Sequence, residues 1–257
     1  MERENNIARF ERLMDDVQRP GKDALMNYIR KSDFYTAPAS TKFHLSCEGG
    51  LLQHSLDVFD ALAMRAEFKA SKDLEREPNE FIFRVAGESV AEFKKETLVI
   101  VALLHDICKT NFYKTEMKNQ KTYDPEKIKR ADRYQIKRDN GGQFIWEQVP
   151  AYIVDDRNPY GHGEKSVMMI EEFMKLTMEE RYAIRWHMGM GDCTYSQMQA
   201  FSASCEKFPL VLFLHNADQE ASHFMEDKDD LKQIFREVAQ PAADYADQPV
   251  FQEATPL

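Results

Sequence analysis

Asp106 closes the stretch LVIVALLHD, in which seven apolar residues, Leu98 to Leu104, run into a histidine and an aspartate, His105 and Asp106. A run apolar on every side belongs in a core, and a carboxylate at its end is costly to bury unless it is paired or bound to a metal. Asp218 stands in the same situation at the end of PLVLFLHNAD. Histidines accompany these carboxylates along the chain: His54 in GGLLQHSLDVF, His162 in NPYGHGEKS and His187 in RYAIRWH. Neutral imidazole and ionised carboxylate are together ligands for iron, manganese, zinc or cobalt, and a metal would remove the desolvation problem at Asp106. Lys109 follows Asp106 by three and His105 by four, so its amine can reach the same side of a helix.

Each residue also has a plainer reading. His54 shares a helical face with Leu51 and Val58 and could be a satisfied core histidine. His162, between two glycines, could mark a turn with an exposed imidazole. Lys109 could satisfy carbonyls at a helix end, and His215, one turn before Asp218, could be structural. What favours a metal is the combination of two apolar helices that each deliver a carboxylate to the interior, with histidines on several others.

The elements that must position these residues read as mostly helical. Helical spacing of apolar residues covers 3–18, 21–31, 51–68, 90–109, 163–175, 178–188, 195–204, 207–223 and 227–239. Residues 114–138 read as charged loop with a short helix, and GGQFIWEQVPAYIV, 141–154, as a small β-hairpin. The fold class expected is all-α: one helical domain over 1–240, with the motifs between 44 and 223, a small hairpin insertion, and a flexible, proline-punctuated tail over 241–257.

Bulk properties narrow the function. With 257 residues, 43% hydrophobic and 30% charged, the chain should fold as an ordinary globule. A net charge of -10 argues against extended nucleic-acid or anionic-membrane binding. No apolar run reaches bilayer length, and the start, MERENNIARFERLMDDV, lacks the apolar core of a signal peptide, so a cytoplasmic protein is expected. Four widely spaced cysteines without a CxxC pair disfavour a zinc ribbon or redox dithiol and fit a reducing compartment. Against the acidic background, residues 114–138 hold nine Lys or Arg and four Asp or Glu. Following directly on the His-Asp pair, this segment, with Lys114 first, would make a cationic lip that attracts a phosphorylated ligand; a solvated charged loop is the commoner explanation of such a run.

The ordered stretches EGGLLQHS, ALLHDICK, GHGEKS, RWHMG and LHNAD, spanning residues 48 to 218, resemble the HD-domain superfamily of metal-dependent phosphohydrolases. The resemblance implies a helical bundle with metals at its centre. It implies that His54, His105, Asp106 and Asp218 hold one divalent first-row metal ion, and that Asp106 bridges to a second held by His162 and His187. Lys109 would pair with a substrate phosphate, and the substrate would be a nucleotide or short oligonucleotide. Related exoribonucleases carry an added oligonucleotide-binding barrel. Only about 50 residues precede the motifs here and they read as helical, which weakens a polymer substrate. Two other readings share the ligand set: a di-iron oxygenase, and a non-catalytic module that binds a nucleotide.

Overall fold

The structure is a computed structural model that describes residues 2–68, 80–191 and 193–226. The helix expected at 227–239 and the tail expected over 241–257 lie outside the described residues. In chain order the elements are α1 (Glu2–Asp15), α2 (Lys22–Lys31), α3 (Gly50–Met64), β1 (Ala66–Phe68), β2 (Glu80–Val85), β3 (Glu88–Lys94), α4 (Lys95–Leu104), a 3-10 turn (Ile107–Lys109), β4 (Tyr113–Thr122), α5 (Pro125–Arg130), β5 (Lys137–Asp139), β6 (Gly142–Val154), α6 (His162–Glu171), α7 (Met178–Trp186), α8 (Tyr195–Lys207), α9 (Leu210–Glu220) and a π-helical turn (Ala221–Met225).

The all-α expectation is wrong. The fold is mixed, with two three-stranded antiparallel sheets among the described residues, ordered β1-β2-β3 and β4-β6-β5. Residues 90–94, read as the start of a helix over 90–109, instead belong to β3, the second arm of a hairpin, and α4 begins only at Lys95. Ala86 and Gly87 turn the hairpin with φ of 51° and 86°, the double positive φ of a two-residue turn that follows the strand twist. Phe81 pairs with Phe93 across the strands, and Phe83 and Phe93 meet edge to face at 5.6 Å, so this sheet adds an aromatic face to the core.

The second sheet corrects the small hairpin expected at 141–154. That segment is one long strand, β6, and its main partner is β4, paired from Tyr113↔Val154 to Thr122↔Ile145. Lys114 to Gln120 are all exposed, so the strand has no apolar face and is held by its ladder of main-chain hydrogen bonds. An amphipathic signal was therefore missing from the sequence.

By its contacts the chain divides into two compact units: Phe112–Arg157, which holds β4, α5, β5 and β6, and the described residues up to Asn111 and from Asn158. In the larger unit α4 is the central rod. Leu98 to Leu104 are all at most 1% exposed, and the helix packs against α1, α3 and α7. Among the described residues, no helix is long and apolar enough to cross a membrane.

Arg19, in the α1–α2 connection, fixes the N-terminal ends of α4 and α7 together. Its Nε donates to Glu96 at 2.6 Å, and its two terminal nitrogens donate to Glu180 at 2.6 and 2.7 Å. Glu180 is fully buried and also closes the capping box of α7 with Thr177. The far ends of these two helices carry His105 and His187, whose rings lie 4.8 Å apart. Both ends of the helix pair are thus set, one by an ion pair and one by the histidines.

Candidate metal centre

His105 and His187 cap α4 and α7 at their C-termini. The last turn of a helix leaves carbonyls without main-chain partners. His105 Nδ1 donates to Ala102 O at 2.8 Å and His187 Nδ1 to Ile184 O at 2.7 Å. With Nδ1 committed as donor, Nε2 of each ring is left to face the centre, the orientation in which an imidazole binds a metal.

His54 comes from the middle of α3 and Asp218 from α9. His54 Nε2 lies 3.2 Å from His105 Nε2 and 3.2 Å from Asp218 Oδ1. Its other nitrogen, Nδ1, lies 2.7 Å from Oε1 of Glu226. His162 is the first residue of α6, and that helix is pressed onto α7: a Cβ on Gly163 would sit 2.2 Å from Arg185 O, so only glycine permits the approach. His162 Nε2 reaches Asp106 Oδ1 at 2.7 Å while its Nδ1 lies 3.2 Å from Cys108 Sγ.

Asp106 stands between α4 and the 3-10 turn with φ -106° and ψ 15°, in the sparsely populated bridge region. Its two oxygens face different groups. Oδ1 looks toward His162 at 2.7 Å and His187 at 3.4 Å. Oδ2 looks toward His105 at 3.5 Å, His54 at 3.6 Å and the Lys109 ammonium at 2.6 Å. All six residues expected as ligands, His54, His105, Asp106, His162, His187 and Asp218, therefore meet in one place. His162, with a third of its side chain exposed, forms the open edge and the rest are buried. Lys109 lies at the same centre. Lys114 belongs to the other unit, where its ammonium faces Glu116 and Asp155.

Burial opposes ionisation throughout, and the neighbours outweigh it. For Asp106, the Lys109 charge and the imidazoles of His105 and His162 hold the carboxyl well below its ordinary range. Asp218 is likewise held low, against burial, by the hydrogen bond and charge of His54. Burial works against a charged His54, yet Glu226 and Asp218 push its pKa up to about 10. His162 is raised to about 9, against burial, chiefly by Asp106. This is a set of anions and imidazoles that demands positive charge in the middle, supplied by protons or by metal.

The donors fit a metal on two counts. Buried groups of His, Asp and Cys, among them His54 with His105 and Asp106, and Asp106 with Cys108 and His162, bring ligand atoms together closely enough to hold an ion. In addition, His187 Nε2 is buried and makes no hydrogen bond among the described residues. An Nε2 aimed at the Asp106 carboxylate without a hydrogen bond leaves a place that a metal ion between them would fill.

Sequence reasoning missed Glu226, His44 and the place of Cys108. Glu226 is buried, and its Oε2 accepts a short hydrogen bond from His44 Nδ1. Eight residues separate Asp218 from Glu226, which overshoots two turns of an α-helix at about 3.6 residues per turn. The wider π-helical turn at Ala221–Met225 absorbs the excess and brings both carboxylates to His54. Cys108 is buried, and its Sγ lies against the His162 ring. His215 has a structural role: its Nδ1 donates to the His187 carbonyl at 2.6 Å.

Comparison with family models, with curated proteins and with solved structures finds no match to this chain.

Proposed function

We propose that the chain is an HD-type, metal-dependent phosphohydrolase that cleaves a phosphoester of a nucleotide or short oligonucleotide. Two divalent first-row metal ions, drawn from iron, manganese, zinc and cobalt, would be held by His54, His105, Asp106 and Asp218 and by Asp106, His162 and His187. The observation that carries this reading is the division of Asp106, with one oxygen toward His162 and His187 and the other toward His54 and His105. That is the arrangement a bridging carboxylate needs.

Bound there, the ions would supply the Lewis acidity that polarises a phosphoryl oxygen and acidifies water. The chain's own residues do the rest. Lys109 keeps an ammonium 2.6 Å from Asp106 Oδ2 and is only 12% exposed, so it offers a partly desolvated cation to a phosphate oxygen at the edge of the centre. The main-chain contacts of His105 and His187 hold their rings rigid, so the ligand geometry is set before substrate arrives. A cytoplasmic setting belongs to the proposal and is supported by four cysteines that form no disulfide among the described residues.

The test is metal analysis of the purified protein, followed by a panel of phosphomonoesters and phosphodiesters with manganese, iron, cobalt and magnesium. The expected result is phosphate ester cleavage that continues without oxygen. Turnover that requires oxygen, with no ester cleaved across the panel, would replace the hydrolase with an oxygenase built on the same ligands.

A further inference from the structure

We propose that Glu226 and His44 form a brace that sets the tautomer and the aim of His54, making Glu226 a positioning residue for the metal centre. The proposal rests on the metal reading of the site and not on the reaction assigned to it.

The need for a brace follows from where His54 stands. His105 and His187 end their helices and borrow carbonyls that the last turn leaves free. His54 is the fifth residue of the fifteen-residue α3, where main-chain carbonyls are already taken by the helix. A side chain must therefore supply the acceptor for its Nδ1–H. Glu226 does so from the end of the π-helical turn, with Oε1 at 2.7 Å. Its side chain is completely buried, so the carboxylate depends on its protein partners. The second partner is His44, whose Nδ1–H donates to Oε2.

His44 is itself held in place. Ser40 Oγ donates to the His44 carbonyl at 2.7 Å, and the main-chain NH of Ala39 bonds to Leu45 O at 3.1 Å. The carbonyl of Leu45 lies against the start of α3, where a Cβ on Gly50 would come within 2.1 Å of it. The His44 and His54 rings lie 4.7 Å apart. The order is thus loop, His44, Glu226, His54, metal site. A carboxylate that receives Nδ1–H from a ligand imidazole raises its basicity and fixes its orientation, and removal of such a partner typically weakens metal binding about 10- to 100-fold.

The experiment uses the full chain and cobalt(II) as probe, in wild type, Glu226→Gln, Glu226→Ala, His44→Ala and the Glu226→Ala/His44→Ala double variant. Affinity is measured by chelator competition, coordination by the cobalt absorption bands, and apoprotein stability by thermal melting. Glu226→Ala should lose about 10- to 100-fold in affinity and shift the cobalt bands. Glu226→Gln, which keeps an acceptor oxygen for His54 but loses the charge, should lose less. It also carries the test if the alanine variant does not fold. His44→Ala should lose less than Glu226→Ala and add nothing to it in the double variant, because it acts through Glu226. Lower melting temperatures with unchanged cobalt affinity and spectrum in both Glu226 variants would show a purely structural role and overturn the brace. So would a full additional loss from His44→Ala in the double variant. A wild type that takes up no cobalt overturns the metal reading and the brace together.

Discussion

Asp106 Oδ1 lies 2.7 Å from His162 Nε2, across the junction between the end of α4 and the start of α6. The other Asp106 oxygen faces His54 and His105, so one side chain joins what would otherwise be two separate ligand groups. Asp106→Asn keeps the shape and removes the charge. On the proposed two-ion reading, it should abolish turnover and take metal content from two ions per chain toward none, as read by elemental analysis of the dialysed protein. Retention of both ions would remove Asp106 from its bridging place.

His162→Ala should act on one side only. His162 and His187 face Oδ1, whereas His54, His105 and Asp218 gather on the other side. The expected stoichiometry is one ion per chain, with the remaining ion as tightly held as in wild type. Gly163→Ala should imitate it more weakly, because the added methyl collides with the Arg185 carbonyl and lifts the start of α6 away from Asp106. If His162→Ala empties the whole centre, the two halves are not independent.

Protons and metal should compete at His54. Its pKa is raised from 6.5 to about 10 by Glu226 and Asp218 against the opposing effect of burial. A raised folded-state pKa stabilises the apoprotein fully below about pH 6.5, and this contribution is lost as pH rises through 10. Metal needs the neutral ring, so binding at pH 7 must expel protons from His54 and from His162, whose pKa is raised to about 9. Apoprotein melting temperature should fall between pH 7 and 10 while metal affinity rises over the same interval. Calorimetry in buffers of different ionisation enthalpy would count the released protons. Metal binding that is independent of pH across this window would contradict the arrangement.

The site was more legible in the sequence than the fold around it. Asp106 and Asp218 stood out because each ends an apolar run, and burial of a carboxylate needs a compensating partner wherever it occurs. That inference requires only local pattern, and it picked out the two carboxylates; the histidines joined them as one ligand set through the resemblance to the HD-domain superfamily. The β4 strand offered no such contrast, because its residues from Lys114 to Gln120 are exposed on both faces and its stability comes from main-chain pairing with β6. The β2–β3 hairpin was hidden differently: its turn uses Ala86 at positive φ in place of the asparagine or aspartate that usually announces one. Glu226 was invisible because a π-helical turn changes the phase that puts it beside His54.

Arg19→Met should be among the most destabilising single changes outside the centre. It would leave the completely buried Glu180 carboxylate without its two-nitrogen partner and Glu96 without its ion pair. Breaking a buried pair on one side typically costs about 3–5 kcal/mol. Urea unfolding should show a loss of that order. Arg19→Met/Glu180→Leu should recover part of it, because no carboxylate is then left stranded. A loss below about 1 kcal/mol would place the Arg19 pair with ordinary surface ion pairs.

Lys109→Ala separates the roles of cation and ligand at the centre. The ammonium sits 2.6 Å from Asp106 Oδ2 and is the strongest of the neighbours that hold that carboxyl ionised against burial. An ammonium cannot ligate a metal, so its removal should leave both ions bound. Because it competes electrostatically for the same carboxylate, metal affinity should stay level or rise. Substrate should respond in the opposite direction. A charge-assisted contact to a phosphate oxygen is worth about 1.5–3 kcal/mol, so KM for a phosphorylated substrate should rise by roughly one to two orders of magnitude. Lys109→Arg, with a longer and forked cation, should restore part of the binding without restoring the geometry. Loss of metal in Lys109→Ala would mean that the lysine holds Asp106 in position for the ions. Unchanged KM with full metal content would remove it from substrate binding and leave it as the partner that makes the burial of Asp106 tolerable.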